Sequence, residues 1–249
     1  NHEANPLVPE NVAALKRAVV YNGYDVGLIF DGDADRVMFV DEKGQFISPD
    51  LMIAVLGHYF FEEKGLTGVV LQDIRSSKAV GEYLARNWDA EVVTWRVGRA
   101  FAAPKLREID GLFGGELAGH YYFKDFSYSD SGMMAALILL GIFAHMKRNG
   151  ISVSQLISRI AAYKNSGELN YRIEDKAGAM QAICSYFKSE EQSTKELDFD
   201  GYRIEFPDWW FNIRPSNTEP YHRVIEEAKT DQLLAEKLEK VNEIRARFS

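Results

Sequence analysis

Asp31, Asp33 and Asp35 stand two residues apart in the run IFDGDADRVMFV, residues 29–40, with Arg36 beside the last of them and apolar stretches on both sides. Carboxylates at that spacing, in a turn at the end of a strand, can converge on one point. Their mutual repulsion is costly there unless a cation lies among them. The run fits a calcium loop badly: Arg36 takes the position where the sharp turn needs Gly, and strand-like residues flank it where helices belong. A lone Asp-x-Asp is usually a solvated turn. Three aspartates with an adjoining Arg, directly after a buried strand, favour a metal. Hard oxygens in a short loop suit Mg2+ better than zinc or calcium, with octahedral positions left for water and phosphate oxygens.

Two further segments carry chemistry. In FGGELAGHYYF, residues 113–123, the glycines let backbone approach a ligand, while Glu116 and His120 offer an acceptor and a switchable donor. A glycine turn with an incidental His explains the residues equally well, but the end of a parallel strand is where such sheets bind ligands. In NIRPSNTEPYHRV, residues 212–224, Arg214 can grip a phosphate, and Ser216, Asn217 and Thr218 add hydroxyl and amide groups. That composition is also good turn chemistry. Arg75 in LQDIRSSKAV lies where a strand enters a helix, a place that suits an anion, although an ordinary N-cap explains the segment slightly better; in RVGRAFAAPKLRE most charges read as surface ones, but Arg99, after Gly98 at a strand end, can face the same cleft. Trp209 and Trp210 read as core, and Cys184 as inert helix packing.

The elements that must position these groups follow from periodicity. Helices are expected over residues 9–21, 50–61, 76–87 and 102–108, from Ser131, from Ser152, over 177–189, and from Asp231. Strands are expected in DVGLIF, RVMFVD, QFISP, GVVLQDI, EVVTWRV, GLFGG, YRIE, GYRIEF, WWFNI and HRVIEEA. The alternation implies an α/β fold, with a mixed, mostly parallel sheet covered by helices, and then a small C-terminal α+β domain.

The chain has 249 residues, 46% of them hydrophobic, enough for more than one core. A net charge of -8 argues against sequence-independent nucleic-acid binding, so no nucleic-acid partner is expected. The single Cys184 excludes an intrachain disulfide and a thiolate cluster, which fits a cytoplasmic location. The apolar run over residues 133–144 falls short of the ~20 residues a bilayer span needs, so no membrane is expected.

Together DGDADR, GGELAGH and RPSNTEP, in that order, resemble the α-D-phosphohexomutases, the phosphomannomutase/phosphoglucomutase family, over essentially the whole chain. The resemblance implies that residues 1–46 are the end of the family's second domain, 47–165 its third, and 166–249 its fourth. It implies Mg2+ held by Asp31, Asp33 and Asp35, with Arg36 nearby, and a phosphosugar substrate. Glu116 would take the sugar O3 and O4 hydroxyls, and His120 would approach the reacting end. Arg75 and Arg99 would face the substrate, and Arg214, Ser216, Asn217 and Thr218 would anchor the non-reacting phosphate. In the family, a phosphoserine in a TASHNP-type loop of the first domain passes its phosphoryl group to the sugar, and a bisphosphate intermediate turns around. No such loop occurs in these residues, so the N-terminal phosphoserine domain is an expected partner within the parent polypeptide, and the fragment alone is expected to be inactive. Ala118 replaces the family's usual Ser, Arg99 its frequent His, and AAPK its lysine-rich run, departures that bear on sugar and phosphate contacts. Leu117 stands where glucosamine-type members tend to carry Gln, which leans toward hexoses without an amine. The competing readings are a noncatalytic phosphosugar-binding module and, with less support, a phosphatase that uses the Asp loop as nucleophile.

Overall fold

The computed structural model describes residues 3–216 and 221–248. The chain forms two compact units, Asn1–Ala161 and Ala162–Ser249.

The first unit opens with α1 (Pro9–Asn22), which starts on a proline whose missing N–H costs nothing in a first turn. Strands β1 (Val26–Phe30) and β2 (Val37–Asp41) then form an antiparallel hairpin in which Phe30 pairs with Val37, so the Asp loop is the hairpin's connection. The short β3 (Phe46–Ile47) adds to β2. Helix α2 (Leu51–Gly57) is buried along its whole length. It continues as a wider π-helical turn, His58–Glu63, where the sequence suggests one uniform helix. Next come β4 (Val69–Asp73), α3 (Lys78–Trp88), β5 (Glu91–Trp95), α4 (Arg99–Glu108) and β6 (Phe113–Gly115). They are followed by β7 (Tyr121–Phe123), β8 (Ser129–Asp130), α5 (Gly132–Arg148) and α6 (Val153–Ile160). The sheet runs β5-β4-β6-β7-β8.

The mixed α/β class holds, but among the described residues parallel pairing is confined to β4 with β5 and β4 with β6. The expectation of a mostly parallel sheet is corrected to that extent. The physical reason is the connection from β6 to β7: residues 116–120 are far too few for a crossover helix, so the chain must return antiparallel.

Among its described residues the second unit is an antiparallel sheet with two α-helices. It contains β9 (Lys164–Asn165), β10 (Leu169–Arg172), α7 (Lys176–Glu190), β11 (Lys195–Leu197), β12 (Tyr202–Glu205), β13 (Trp209–Pro215), β14 (Tyr221–Ala228) and α8 (Asp231–Arg245). The strand order is β10-β14-β13-β12-β11, with β9 also on β14. Val224 and Ala228 of β14 join Ile183 and Phe187 of α7 and Leu234 and Val241 of α8 in one core.

On that same face, two residues beyond Val224, lies Glu226. Its side chain is completely buried, and neither carboxylate oxygen has a hydrogen-bond partner among the described residues. Burial raises its pKa to about 8, partly offset by Lys237. The folded unit thus holds this carboxyl protonated near neutrality, while the unfolded chain ionises it near 4.5. Its contribution to stability is fully present below pH 4.5 and is lost as pH rises toward 8, at about 1.4 kcal/mol per unit of pH. Burial pushes His222 the other way, below its ordinary value, so that group penalises acid instead. Glu226→Gln should therefore flatten the fall in stability between pH 5 and pH 8 by roughly 3–4 kcal/mol. Scanning calorimetry at the two pH values should show the variant gaining on the parent chain at pH 8 far more than at pH 5.

Candidate functional site

The Asp loop is closed from within. Asp31 accepts hydrogen bonds from the Arg36 backbone N–H at 3.2 Å and from Arg36 Nε at 2.7 Å. Burial pushes the Asp31 carboxyl up, but the Arg36 bonds and charge outweigh it and hold the group below its ordinary value. Between them Ala34 sits at φ 60°, a left-handed conformation that costs a residue with a Cβ and lets the short loop turn. Oxygens of Asp31, Asp33 and Asp35 lie within 4.8 Å of one another. Burial raises the Asp35 pKa; His120 opposes the rise, and Asp31, Asp33 and Asp130 add to it. Three hard anionic ligands held this close fit a divalent cation that binds oxygen.

The second limb is the turn from β6 to β7. Glu116 N–H donates to the His120 carbonyl at 3.0 Å and Gly119 N–H to the Glu116 carbonyl at 2.9 Å, with Gly119 at φ +88° where a side chain would be strained. This turn is stitched to the Asp loop through backbone: Arg36 pairs with His120 in an isolated antiparallel bridge, and Val37 N–H donates to the Gly119 carbonyl at 3.2 Å. The stitch sets His120 Nδ1 3.9 Å from Asp35 Oδ2.

His120 Nδ1 also lies 2.8 Å from Oδ2 of Asp130, a buried residue of β8 whose Oδ1 is 3.0 Å from Arg99 Nε. Arg99 Nη1 is in turn 3.8 Å from Asp35. Sequence reasoning missed Asp130. Followed by Ser and Gly at the start of α5, it looks like capping chemistry, and only the pairing of β7 with β8, Tyr122 opposite Asp130, brings it to His120.

Glu116 is turned into the protein, 2% exposed, accepting from Gly98 N–H at 2.5 Å and from the Tyr122 hydroxyl at 2.8 Å. Burial raises its pKa, the charge of Asp73 raises it further, and those hydrogen bonds and Arg75 oppose the rise. Arg75 is buried against Asp73, with Nη2 2.7 Å from Oδ2. Asp31, Asp33, Asp35, Arg36, Arg75, Arg99, Glu116 and His120 thus belong to one connected array in the first unit. In the second unit, Arg214 Nη2 is 3.6 Å from Glu168, and Ser216 is buried with its N–H donating to the Tyr221 carbonyl at 2.8 Å. Asn217 and Thr218 lie outside the described residues.

The fold is that of the phosphohexomutases. A crystal structure of a phosphoglucomutase/phosphomannomutase family protein from Burkholderia thailandensis superposes with a TM-score of 0.82 at 25% identity, covering 98% of this chain and 51% of that one. Three models of one family match in order: phosphoglucomutase/phosphomannomutase alpha/beta/alpha domain II over residues 1–44, alpha/beta/alpha domain III over 48–163, and the C-terminal domain over 168–244. The chain belongs to the phosphoglucomutase/phosphomannomutase family. It is 35% identical over 247 residues to a phosphomannomutase of Methanocaldococcus jannaschii, covering 99% of this chain and 53% of the relative. It is 36% identical over 233 residues to one of Salmonella typhimurium, covering 93% and 50%. The chain therefore spans about half the length of the curated relatives it matches.

Helix α5 starts directly against the Asp loop: a Cβ at Gly132 would stand 2.7 Å from the Ala34 carbonyl oxygen and 3.0 Å from the carbonyl carbon and oxygen of Arg36. These are backbone atoms and cannot swing aside. Gly132→Ala should consequently destabilise the first unit by about 1–3 kcal/mol, even though Ala favours a helix over Gly by roughly 0.5–1 kcal/mol. A lower urea midpoint is the expected result, and an unchanged or higher one contradicts the packing argument.

Proposed function

We propose that the protein carrying this chain is a Mg2+-dependent phosphohexomutase that interconverts hexose 1-phosphate and hexose 6-phosphate, with mannose, glucose or both as the sugar, through a phosphoserine enzyme and a bisphosphate intermediate. The observation that supports this best is the backbone stitch between Arg36 and His120, which sets a loop of three carboxylates beside a histidine and an arginine. The phosphomannomutases among the relatives support the sugar class.

In this reading Asp31, Asp33 and Asp35 would hold the ion, which would supply positive charge beside the transferring phosphoryl group. Arg36, fixed by Asp31, keeps a positive charge at the same place without reorganisation. His120 donates through Nδ1 to Asp130, and Nε2 is left to take or give the proton of the reacting sugar hydroxyl. Arg75 and Arg99 meet the charged part of the substrate. Glu116 takes the O3 and O4 hydroxyls, which requires part of its hydrogen bonding to Gly98 and Tyr122 to be exchanged for the sugar. Arg214, Ser216, Asn217 and Thr218 hold the phosphate that is not reacting. The phosphoserine is carried by the portion of the family's length that these residues do not span, so the chain alone has no turnover. The reaction is placed in the cytoplasm.

A coupled assay on the full polypeptide should show conversion of mannose 1-phosphate to mannose 6-phosphate. Asp33→Asn should lower kcat at least about 100-fold, as expected for loss of an ion ligand that serves the transferring group, and calorimetry should show weaker Mg2+ uptake. Absence of turnover with both mannose and glucose 1-phosphate, or an Asp33→Asn enzyme of normal activity, overturns the proposal.

A further inference from the structure

Strands β4 and β6 pair in parallel, Gln72 opposite Gly115, so the residues that leave their carboxyl ends emerge side by side. Arg75 leaves one end and the turn carrying Glu116 and Leu117 leaves the other. One side chain joins them. Asp73 Oδ1 accepts from the Arg75 backbone N–H at 2.7 Å, and Oδ2 accepts both Arg75 Nη2 at 2.7 Å and the Leu117 backbone N–H at 2.9 Å. The Asp73 side chain is 1% exposed and that of Arg75 9%. We propose that Asp73 is a positioning residue for hexose-phosphate binding, acting through Arg75 and Leu117 to hold the guanidinium and the sugar turn in one fixed relation. This rests on the mutase reading above.

Stability alone is a poor account of the arrangement. A buried ion pair is often no more stabilising than apolar residues of the same volume, and Asp73 stands close enough to the buried Glu116 to disfavour its charged form. What three donors on two oxygens do provide is orientation. The backbone N–H of Arg75 on Oδ1 holds the carboxylate, Nη2 on Oδ2 tethers the guanidinium end to it, and the Leu117 bond ties the start of the turn behind Glu116 to the same oxygen. Displacement of a binding group by about 1 Å can cost a factor of 100, so the loss of this relation is felt at the substrate as well as in the fold. An amide in place of the carboxylate leaves at least one of the three N–H groups facing an NH2.

The test is a double-mutant cycle on the full polypeptide, with mannose 1-phosphate as substrate and circular dichroism as the check on folding. Asp73→Asn should raise KM at least tenfold and change kcat less than threefold. Arg75→Met should do the same, and the double variant should be clearly less damaged than the product of the two single effects, because both remove the Asp73–Arg75 bond. In parallel, hydrogen exchange of the Leu117 amide should speed at least tenfold in Asp73→Asn. If that variant does not fold, Arg75→Lys, which keeps the charge and loses the planar fork, carries the same KM test. An Asp73→Asn enzyme with KM within twofold of the parent, or single effects that multiply in the double variant, overturns the role of Asp73 while the mutase reading stands. A parent polypeptide without turnover overturns both.

Discussion

The bond between Asp31 and Arg36 is the constraint from which the rest of the first unit's array follows. Three aspartates crowded into a hairpin connection repel one another, and a loop that obeyed that repulsion alone would splay them. Arg36 prevents this by reaching back across the loop, with its backbone N–H and its Nε on the two oxygens of one carboxylate. Because the same residue pairs through its backbone with His120, closing the loop also fixes where the glycine turn lies. One arginine therefore sets both the convergence of the carboxylates and their distance from the imidazole. The left-handed Ala34 is the local strain that this closure carries.

A second layer depends on the return of β7. The antiparallel pairing of β6, β7 and β8 buries Tyr121, Tyr122 and Phe123 completely, and in doing so delivers polar groups from both sides: the Tyr122 hydroxyl to Glu116, and Asp130 to His120. The Tyr121 hydroxyl reaches the Pro49 carbonyl, beside Asp50, which accepts the Ser77 N–H that begins α3. The turn that presents Arg75 is thus tied to the same buried aromatic strand as the histidine. Apolar burial and site geometry are here the same set of contacts.

What the sequence discloses and what it withholds divide along a physical line. The Asp loop was legible because charge spacing is a local property and because a strand must end for such a turn to form. Ser131, Ser152 and Thr230 announce their helices through side-chain caps that act within three residues. Tyr121–Phe123 could not be recognised as a strand, since three consecutively buried residues have no period, and the exposed edge strand Lys195–Leu197 has no apolar pattern either. Helix α4 starts three residues earlier than its apolar pattern suggests, because the Gly98 carbonyl already accepts the N–H groups of Phe101 and Ala102. Asp73 and Asp130 were invisible as partners because their roles exist only through pairing of strands distant in sequence. The inward turn of Glu116 belongs with them: it needs Gly98 from one strand end and Tyr122 from another.

Charge supplies the last step. Every arginine of the first unit's array leans on a carboxylate: Arg36 on Asp31, Arg75 on Asp73, Arg99 on Asp130. Such pairs orient the guanidinium groups but cancel their charge at a distance, so they contribute little to drawing in an anion. Asp33, Asp35 and Glu116 remain beyond those pairs, and burial has pushed the last two toward their neutral forms as a partial escape from repulsion. Taken alone, the array therefore repels an anion. A divalent ion among Asp31, Asp33 and Asp35 would offset most of that excess negative charge, at a place where the carboxylates are held close together. In the proposed reading, metal and anion would then be linked ligands: the ion would make room for the anion, and the arginines, already oriented, would meet it without further rearrangement.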